Sequence, residues 1–309
     1  MSVGNICFIK EFVIVGFPGL LPHYYGLVSV LLFFVYVFTL VGNAVFLALF
    51  VITKSLQKPV YYCIINLVVC HVLFSTTTLP KIISRYRFQD GTISFMGCFL
   101  QMFFVHYFGS VTARLLAVMD IDRYAAICFP LHIHSCYDST AGLSCCNFLG
   151  SWLLGLIGPL MMTIRAYPLP YCASNSIVHF YSDHIAITTL ACTDREEYSY
   201  PAFIHAMIVL LGSLAVIFFS YCAIIVAVLR ISSAQGWMKT FSTCSPQCFN
   251  YLSSNINIKF STDFLLPPMI NLLIYCLRTD EVKKKSIFVH RKLSVIQIFV
   301  RSYIFESFT

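Results

Sequence analysis

MDIDRYAAICFPLH, residues 119–132, follows an apolar segment from Met96 to Met119 that is long enough to cross a lipid bilayer. An acid, an arginine and a tyrosine stand together at Asp122, Arg123 and Tyr124, where this segment should return to water. Charge costs little at a membrane interface and several kcal/mol at the bilayer centre, so any helix leaving a membrane can end in this way. In a second interpretation the pair is functional: Asp122 holds Arg123 in a resting state, and a released Arg123 binds a partner protein.

The residues around this charged pair help to choose between the two interpretations. A methionine stands three residues before Asp122, and Pro130-Leu131-His132 follows shortly after Cys128. This arrangement resembles the cytoplasmic end of the third transmembrane helix in rhodopsin-like G-protein-coupled receptors, and the flanking residues resemble the olfactory receptor branch. The resemblance implies that Asp122, Arg123 and Tyr124 form the site that couples to the G protein.

The composition of the whole chain indicates a membrane protein. Of its 309 residues, 59% are hydrophobic and 11% are charged, and the mean hydropathy is +0.81. A soluble domain carries about 25% charged residues, so a chain this poor in charge is expected to cross the membrane several times. Together with the resemblance, this predicts an all-α membrane protein with a seven-transmembrane helix bundle of rhodopsin type. Residues 1–25 would form an extracellular tail, 26–282 the receptor domain and 283–309 a cytoplasmic tail.

The distribution of the net charge of +7 predicts the orientation. If the spans alternate from an external N-terminus, the excess of lysine and arginine falls on the cytoplasmic side, as the positive-inside rule requires. The basic residues do not form one soluble patch, so nucleic-acid binding is not expected. We therefore predict a multi-pass plasma-membrane protein with its N-terminus outside.

The first five spans can be placed from their apolar runs. They are predicted at Gly26–Ile52, Val60–Leu79, Met96–Met119, Leu143–Ile164 and Ala202–Leu229. The second is expected to end at the proline that follows Leu79, because proline breaks a helix.

The sixth and seventh spans are predicted to be truncated or degenerate. Lys239-Thr240-Phe241-Ser242-Thr243-Cys244 resembles the opening of the family's sixth helix, but residues 248–257 are dense in serine and asparagine. The apolar part of the seventh span, Phe264 to Leu277, is about 14 residues, or roughly 21 Å of helix against the roughly 30 Å of hydrocarbon. Two architectures remain possible: a seven-helix bundle with a thin last hairpin, and a five-helix bundle.

Polar residues within the spans are expected to face other helices, because an unpaired polar group in lipid is costly. The resemblance implies a helix-core switch made of Asn43, His71, Trp152, Tyr221, Asn271 and Tyr275. His71 stands where the family pattern Asn-Leu-x-x-x-Asp has its acid, and Leu272 stands where Asn-Pro-x-x-Tyr has its proline. An ordinary hydrogen bond within the core is the alternative role for His71.

Four of the 14 cysteines, Cys7, Cys98, Cys172 and Cys192, are expected on the oxidising outer side, where three complete pairings are possible. The resemblance implies a disulfide between Cys172 and Cys192. It also places a third cysteine where Ser182 stands, and in the family that cysteine ties the long outer loop to the position of Cys98. Cys98 is therefore expected to be free or bonded to Cys7.

A ligand-binding site is predicted in the outer half of the bundle. His106, Tyr107 and Ser110 lie on neighbouring turns of the third span, and His205 lies in the fifth. Polar groups at membrane depth usually line a cavity or a helix interface. We predict that the four residues bind a small ligand in a pocket covered by the long loop; alternatively, each is a satisfied interhelical group.

Arg114 is a full charge roughly two and a half turns from the predicted inner end of the third span. It departs from the family, where this position is usually uncharged. The sequence leaves three possibilities open: the side chain extends to an interface, pairs with another group or distorts the packing.

No catalytic motif competes with a receptor function. The sequence contains no nucleophile elbow, no metal-ligand cluster and no phosphate-binding glycine loop, so neither an enzyme nor a bound cofactor or metal is expected. The resemblance implies an olfactory receptor that binds a small odorant within the bundle and activates a heterotrimeric G protein. The alternative, suggested by the shortened last spans, is a receptor-derived membrane protein that no longer signals.

Overall fold

The computed structural model describes residues 9–53, 59–128, 137–172, 174–193 and 196–230, and long helices dominate them. The helices are α1 (Tyr25–Ile52), α2 (Pro59–Phe88), α3 (Phe95–Cys128), α4 (Tyr137–Ala166), the short α5 (His184–Thr188) and α6 (Glu196–Arg230). Within the described residues, five helices are long and apolar enough to cross a membrane. This agrees with the predicted rhodopsin-type bundle. Its predicted sixth and seventh spans, and with them Asn271 and Tyr275, lie outside the described residues.

The long helices expose continuous apolar stripes. On α1, large side chains that are at least half exposed follow one another at steps of three and four residues, which keep to one face of a helix. They are Leu27, Leu31, Phe34, Phe38, Val41 and Val45. Large apolar side chains are exposed along α4 and α6 as well. Such surfaces suit lipid, in which a helix satisfies its own backbone polar groups. This is a multi-pass membrane protein.

α3 is the central helix of the described bundle, because it packs against α2, α4 and α6, whereas α1 packs against α2. Val111 and Leu115 on α3 are fully buried and belong to one cluster with Phe46 of α1 and Leu67 of α2. In a bilayer, contacts of this kind stabilise through close packing, since lipid tails are as apolar as leucine. α3 therefore connects the two ends of the bundle through a continuous packed core.

A small sheet closes one end of the bundle. Its strands are β1 (Glu11–Ile14), β2 (Thr92–Ser94) and β3 (Ser176–Ile177), in the order β2-β1-β3. β1 runs antiparallel to β2 and parallel to β3. The start of α1, the end of α2, the start of α3, the end of α4 and the start of α6 meet here, and we call this part the sheet end.

Part of the predicted N-terminal tail is thus the central strand of that sheet. Phe12 in β1 is fully buried, and its ring centroid lies 5.8 Å from that of Phe95 and 5.6 Å from that of Tyr171. These contacts join β1 to the start of α3 and to the segment after α4. The sequence prediction of a plain tail missed this strand, because four residues give too short a pattern to identify a strand.

The predicted end of the second span at Leu79 is wrong, because α2 continues through Pro80 to Phe88. Proline is tolerated inside a membrane helix where neighbouring groups satisfy the carbonyls that it disturbs. Here the side chain of Gln101 in α3 donates a hydrogen bond of 2.9 Å to the Thr77 carbonyl, in the turn before Pro80. The other described spans match their predicted positions and extend beyond them by one to nine residues at their ends.

Candidate functional site

A cavity of about 260 Å³ lies in the half of the bundle next to the sheet end, between α2, α3, α4, α6 and the segment before α5. We call it the sheet-end cavity. Its polar lining consists of His106, Ser110, Tyr181 and His205, and its other walls are apolar. The volume is below the roughly 300–1,000 Å³ of clefts that hold drug-sized molecules, so the cavity suits a small ligand.

The structure places three of the four predicted ligand-binding residues in the lining of the cavity and the fourth outside that lining. His106, Ser110 and His205 line the cavity, whereas Tyr107 packs against Trp152 of α4, with ring centroids 6.0 Å apart. On α3 the cavity is lined by Val105, His106, Gly109, Ser110 and Ala113, and Tyr107 points about 100° beyond His106, on the side away from Val105. Tyr107 thus supports the wall behind the cavity.

Trp152 links three helices. Its indole Nε1 donates a 2.9 Å hydrogen bond to Oδ1 of Asn66 on α2, and its ring contacts Tyr107 on α3. Asn66 in turn donates to the carbonyl of Tyr62 in its own helix. Trp152, predicted to lie in the helix core, therefore lies where α2, α3 and α4 meet.

His205 reaches the cavity because α4 carries a glycine opposite it. A Cβ atom at Gly158 would overlap the imidazole of His205, so only glycine allows the two helices this approach. Among the described residues, Nε2 of His205 is buried and has no hydrogen-bond partner. The Nε2 side of the ring therefore packs against Gly158 of α4, while the residue as a whole lines the cavity.

His106 faces the carboxylate of Asp183 across the mouth of the cavity. Asp183 caps the N-terminus of α5, where its side chain accepts hydrogen bonds from Ile185 N at 3.1 Å and Ala186 N at 3.3 Å. Its other oxygen lies 3.7 Å from Nε2 of His106, which is beyond hydrogen-bond distance. That nitrogen has no hydrogen-bond partner within the part of the chain that the structure describes.

Two further histidines lie in the segment that covers the cavity. Burial lowers the pKa of His179, and burial together with the nearby His106 lowers the pKa of His184 to about 4, although Asp183 opposes both shifts. Both rings are therefore neutral at pH 7. Sequence analysis missed them because a histidine in a loop carries no periodic signal.

Gln101 holds the covering segment onto the helices. Its Oε1 accepts hydrogen bonds from Ser182 N at 3.0 Å and Ser182 Oγ at 2.8 Å, while its Nε2 donates to Thr77 of α2. Both Gln101 and Ser182 are buried. The sequence analysis did not select Gln101, although the cost of a buried amide at membrane depth could have identified it.

The disulfide predicted between Cys172 and Cys192 is confirmed. It closes the segment between α4 and α6 next to the bridge that pairs Tyr171 with Ala191. Cys98 is free and buried, which agrees with the first of its two predicted states, free or bonded to Cys7. Cys7 lies outside the described residues. The thiol of Cys98 lies near the Ser182 side chain.

Comparison with known proteins decides the family. The family model described as olfactory receptor matches residues 32–262 of this chain. The chain belongs to the olfactory receptor family. It is 34% identical to human olfactory receptor 2L5 over 292 residues, which cover 88% of this chain and 92% of that protein. It is also 34% identical to human olfactory receptor 6F1 over 303 residues, covering 92% and 97%.

At the other end of this olfactory receptor, α3 carries the predicted coupling residues. Cys63 of α2 donates a 3.8 Å hydrogen bond from its thiol to Oδ2 of Asp122, and Tyr124 is half-buried. The backbone of Arg123 is helical, but its side chain lies outside the described residues, as does that of Tyr221. The proposed contact between Asp122 and Arg123 therefore stays a prediction.

Two other predicted core residues of the receptor are buried. Asn43 has no exposed surface, and its Nδ2 donates a 2.6 Å hydrogen bond to the Thr39 carbonyl of its own helix. His71 is 5% exposed, and its Nε2 has no hydrogen-bond partner among the described residues. The prediction that Asn43 faces the bundle is confirmed. The alternative role predicted for His71 was a hydrogen bond within the core. Within the described ranges its Nε2 makes no such bond.

Proposed function

We propose that this receptor binds a small odorant in the sheet-end cavity at the plasma membrane and passes the signal to a heterotrimeric G protein at the opposite end. The observation that carries the proposal is the cavity itself, with His106, Ser110 and His205 converging on an apolar space. The function is binding and conformational change rather than catalysis. It involves no cofactor and no nucleic acid.

The orientation follows from charge. An external N-terminus places the sheet end outside, where a disulfide is stable, and leaves the excess of lysine and arginine in the cytoplasm. The sheet-end cavity then faces the medium from which an odorant arrives. The end of α3 that carries Arg123 faces the G protein.

The chemistry of the cavity supports recognition of a small, partly polar molecule. Its apolar walls favour an alkyl or aromatic part of the ligand, and the imidazoles of His106 and His205 in the lining offer polar contacts. An unpaired buried nitrogen is costly, so a ligand that satisfies it gains affinity. Both histidines therefore contribute to binding and orientation.

The signal passes along α3. Arg123 lies 17 residues after His106 on the same helix, about 26 Å away at 1.5 Å per residue. A ligand that binds the active arrangement more tightly than the resting one shifts the population towards it. The alternative of a non-signalling protein rests on residues 248–277, outside the described part of the chain, and on the family departures at His71 and Ser182; the match to olfactory receptors does not favour it.

Alanine at His106 or His205 is expected to reduce odorant potency by about five- to tenfold, because each substitution removes a polar contact worth about 1–1.5 kcal/mol. His23, an exposed histidine outside the cavity, provides the matched control in His23→Ala. The measurement is the concentration of odorant that gives half the maximal cAMP response, at surface densities matched by antibody labelling. If the three variants showed the same potency as the wild type, the two cavity histidines would have no part in binding.

A further inference from the structure

Arg114 is a cation without an acidic partner in the described bundle. It lies on α3 eight residues before Asp122, about 12 Å from that end of the helix. Its Nη1 donates a 3.1 Å hydrogen bond to the Ser110 carbonyl. The ion pairs found among the described residues join Lys81 to Asp90 and His106 to Asp183, and neither includes Arg114. A guanidinium has five N–H donors, and among the described residues the one hydrogen bond found for it is that to Ser110.

The guanidinium of Arg114 lies beside the sheet-end cavity, on the carbonyl of the lining residue Ser110. Side chains on a helix incline towards its N-terminus, so Arg114 is directed at the preceding turn, where Ser110 lines the cavity. Its neighbour Ala113 lines the cavity as well, and Arg114 is within electrostatic range of His205. No residue of the cavity lining is acidic. Asp183, whose carboxylate lies 3.7 Å from His106 Nε2, is itself not among the lining residues.

We propose that the ligand of this cavity is a small organic anion, a short-chain carboxylic acid in its ionised form, whose carboxylate pairs with Arg114. The inference rests on the proposed function of the same cavity and names its ligand class. The planar guanidinium matches a carboxylate with two parallel hydrogen bonds, and the pairing compensates a charge that is otherwise costly at membrane depth. His205 adds a neutral polar contact, and Val105, Val209 and Leu210 enclose the alkyl chain.

The test measures equilibrium binding to the full-length receptor in lipid nanodiscs. The probes are butanoate, hexanoate and octanoate, each compared with the primary amide of the same length. We expect at least one acid to bind about tenfold or more tightly than its amide. Arg114→Gln should abolish that preference and Arg114→Lys should retain part of it. Arg87→Gln, at an exposed arginine outside the cavity, should leave it unchanged.

The ratio of acid to amide affinity in the wild type tests the inference even if Arg114→Gln does not fold. Equal affinity for acids and amides, no binding of any acid, or an acid preference that survives in a folded Arg114→Gln variant would each overturn it. If neutral odorants produced a cAMP response and Arg114→Gln left it unchanged, the proposal that the ligand is an organic anion would be overturned. The proposed function of the receptor would be retained. Absence of a response to any compound, acid or neutral, at confirmed surface expression would contradict the proposed function itself.

Discussion

Replacing Ser182 with cysteine is expected to close a second disulfide, to Cys98, and to raise both the stability and the surface density of the receptor. The two side chains lie near each other and both are buried. A disulfide typically adds about 2–4 kcal/mol, mainly by constraining the unfolded chain. The new bond would replace the hydroxyl hydrogen bond from Ser182 to Gln101, while the backbone N–H of residue 182 can still donate to Gln101.

Mass spectrometry of the non-reduced Ser182→Cys protein should detect the linked peptides, and its thermal midpoint should rise relative to the wild type. Ser182→Ala is the matched control: it cannot form the bond and loses the 2.8 Å hydrogen bond to Gln101, so its midpoint should fall. A free thiol at both positions, or an equal midpoint for the cysteine and alanine variants, would show that the structure places these residues wrongly.

The cysteines illustrate how far the sequence could predict this region. Counting the outer cysteines left three pairings open, and it was the resemblance to olfactory receptors that implied the Cys172–Cys192 bond and the missing partner of Cys98. The replacement for the missing bond was not predictable in the same way. Gln101 and Ser182 are 81 residues apart and form their contact only after α3 and the covering segment have packed.

The helices and the cavity differ in how strongly the sequence specifies them. Long apolar runs specified the spans, since lipid leaves a chain few alternatives to helix. The position of His106 and Ser110 on one face of α3 followed from helical spacing, but Tyr107 was assigned to the same face although it is turned by about 100°. Pro80 was misjudged for a different reason, because the group that compensates it, Gln101, belongs to another helix.

Substituting alanine for Arg123 is expected to abolish ligand-stimulated G-protein activation, reducing the cAMP response to the level of cells without the receptor. The reason is that Arg123 is the cation of the proposed coupling site, between Asp122 and Tyr124, and the alanine substitution removes this charge. Membrane insertion should be unaffected, because losing a charge at the end of a span does not weaken its apolar run.

Arg87→Ala, an exposed arginine at the sheet end of α2, is the control for the loss of one positive charge. It should signal as the wild type does. Surface labelling establishes that all three proteins reach the membrane in equal amount. Signalling retained by the Arg123→Ala receptor at equal surface density would remove the coupling role assigned to this motif.

Filling the sheet-end cavity tests the central claim most directly. Gly109 lines the cavity, and a Cβ atom there would have no described neighbour within 4 Å, so a phenylalanine has room to project into the ligand space. Gly212 on α6 is equally open but does not line the cavity, which makes Gly212→Phe the matched control. The measurement is the odorant concentration–response curve for cAMP in both variants and the wild type at matched surface density. We predict that Gly109→Phe loses the response and Gly212→Phe keeps it; coincident curves for all three receptors would contradict binding in this cavity.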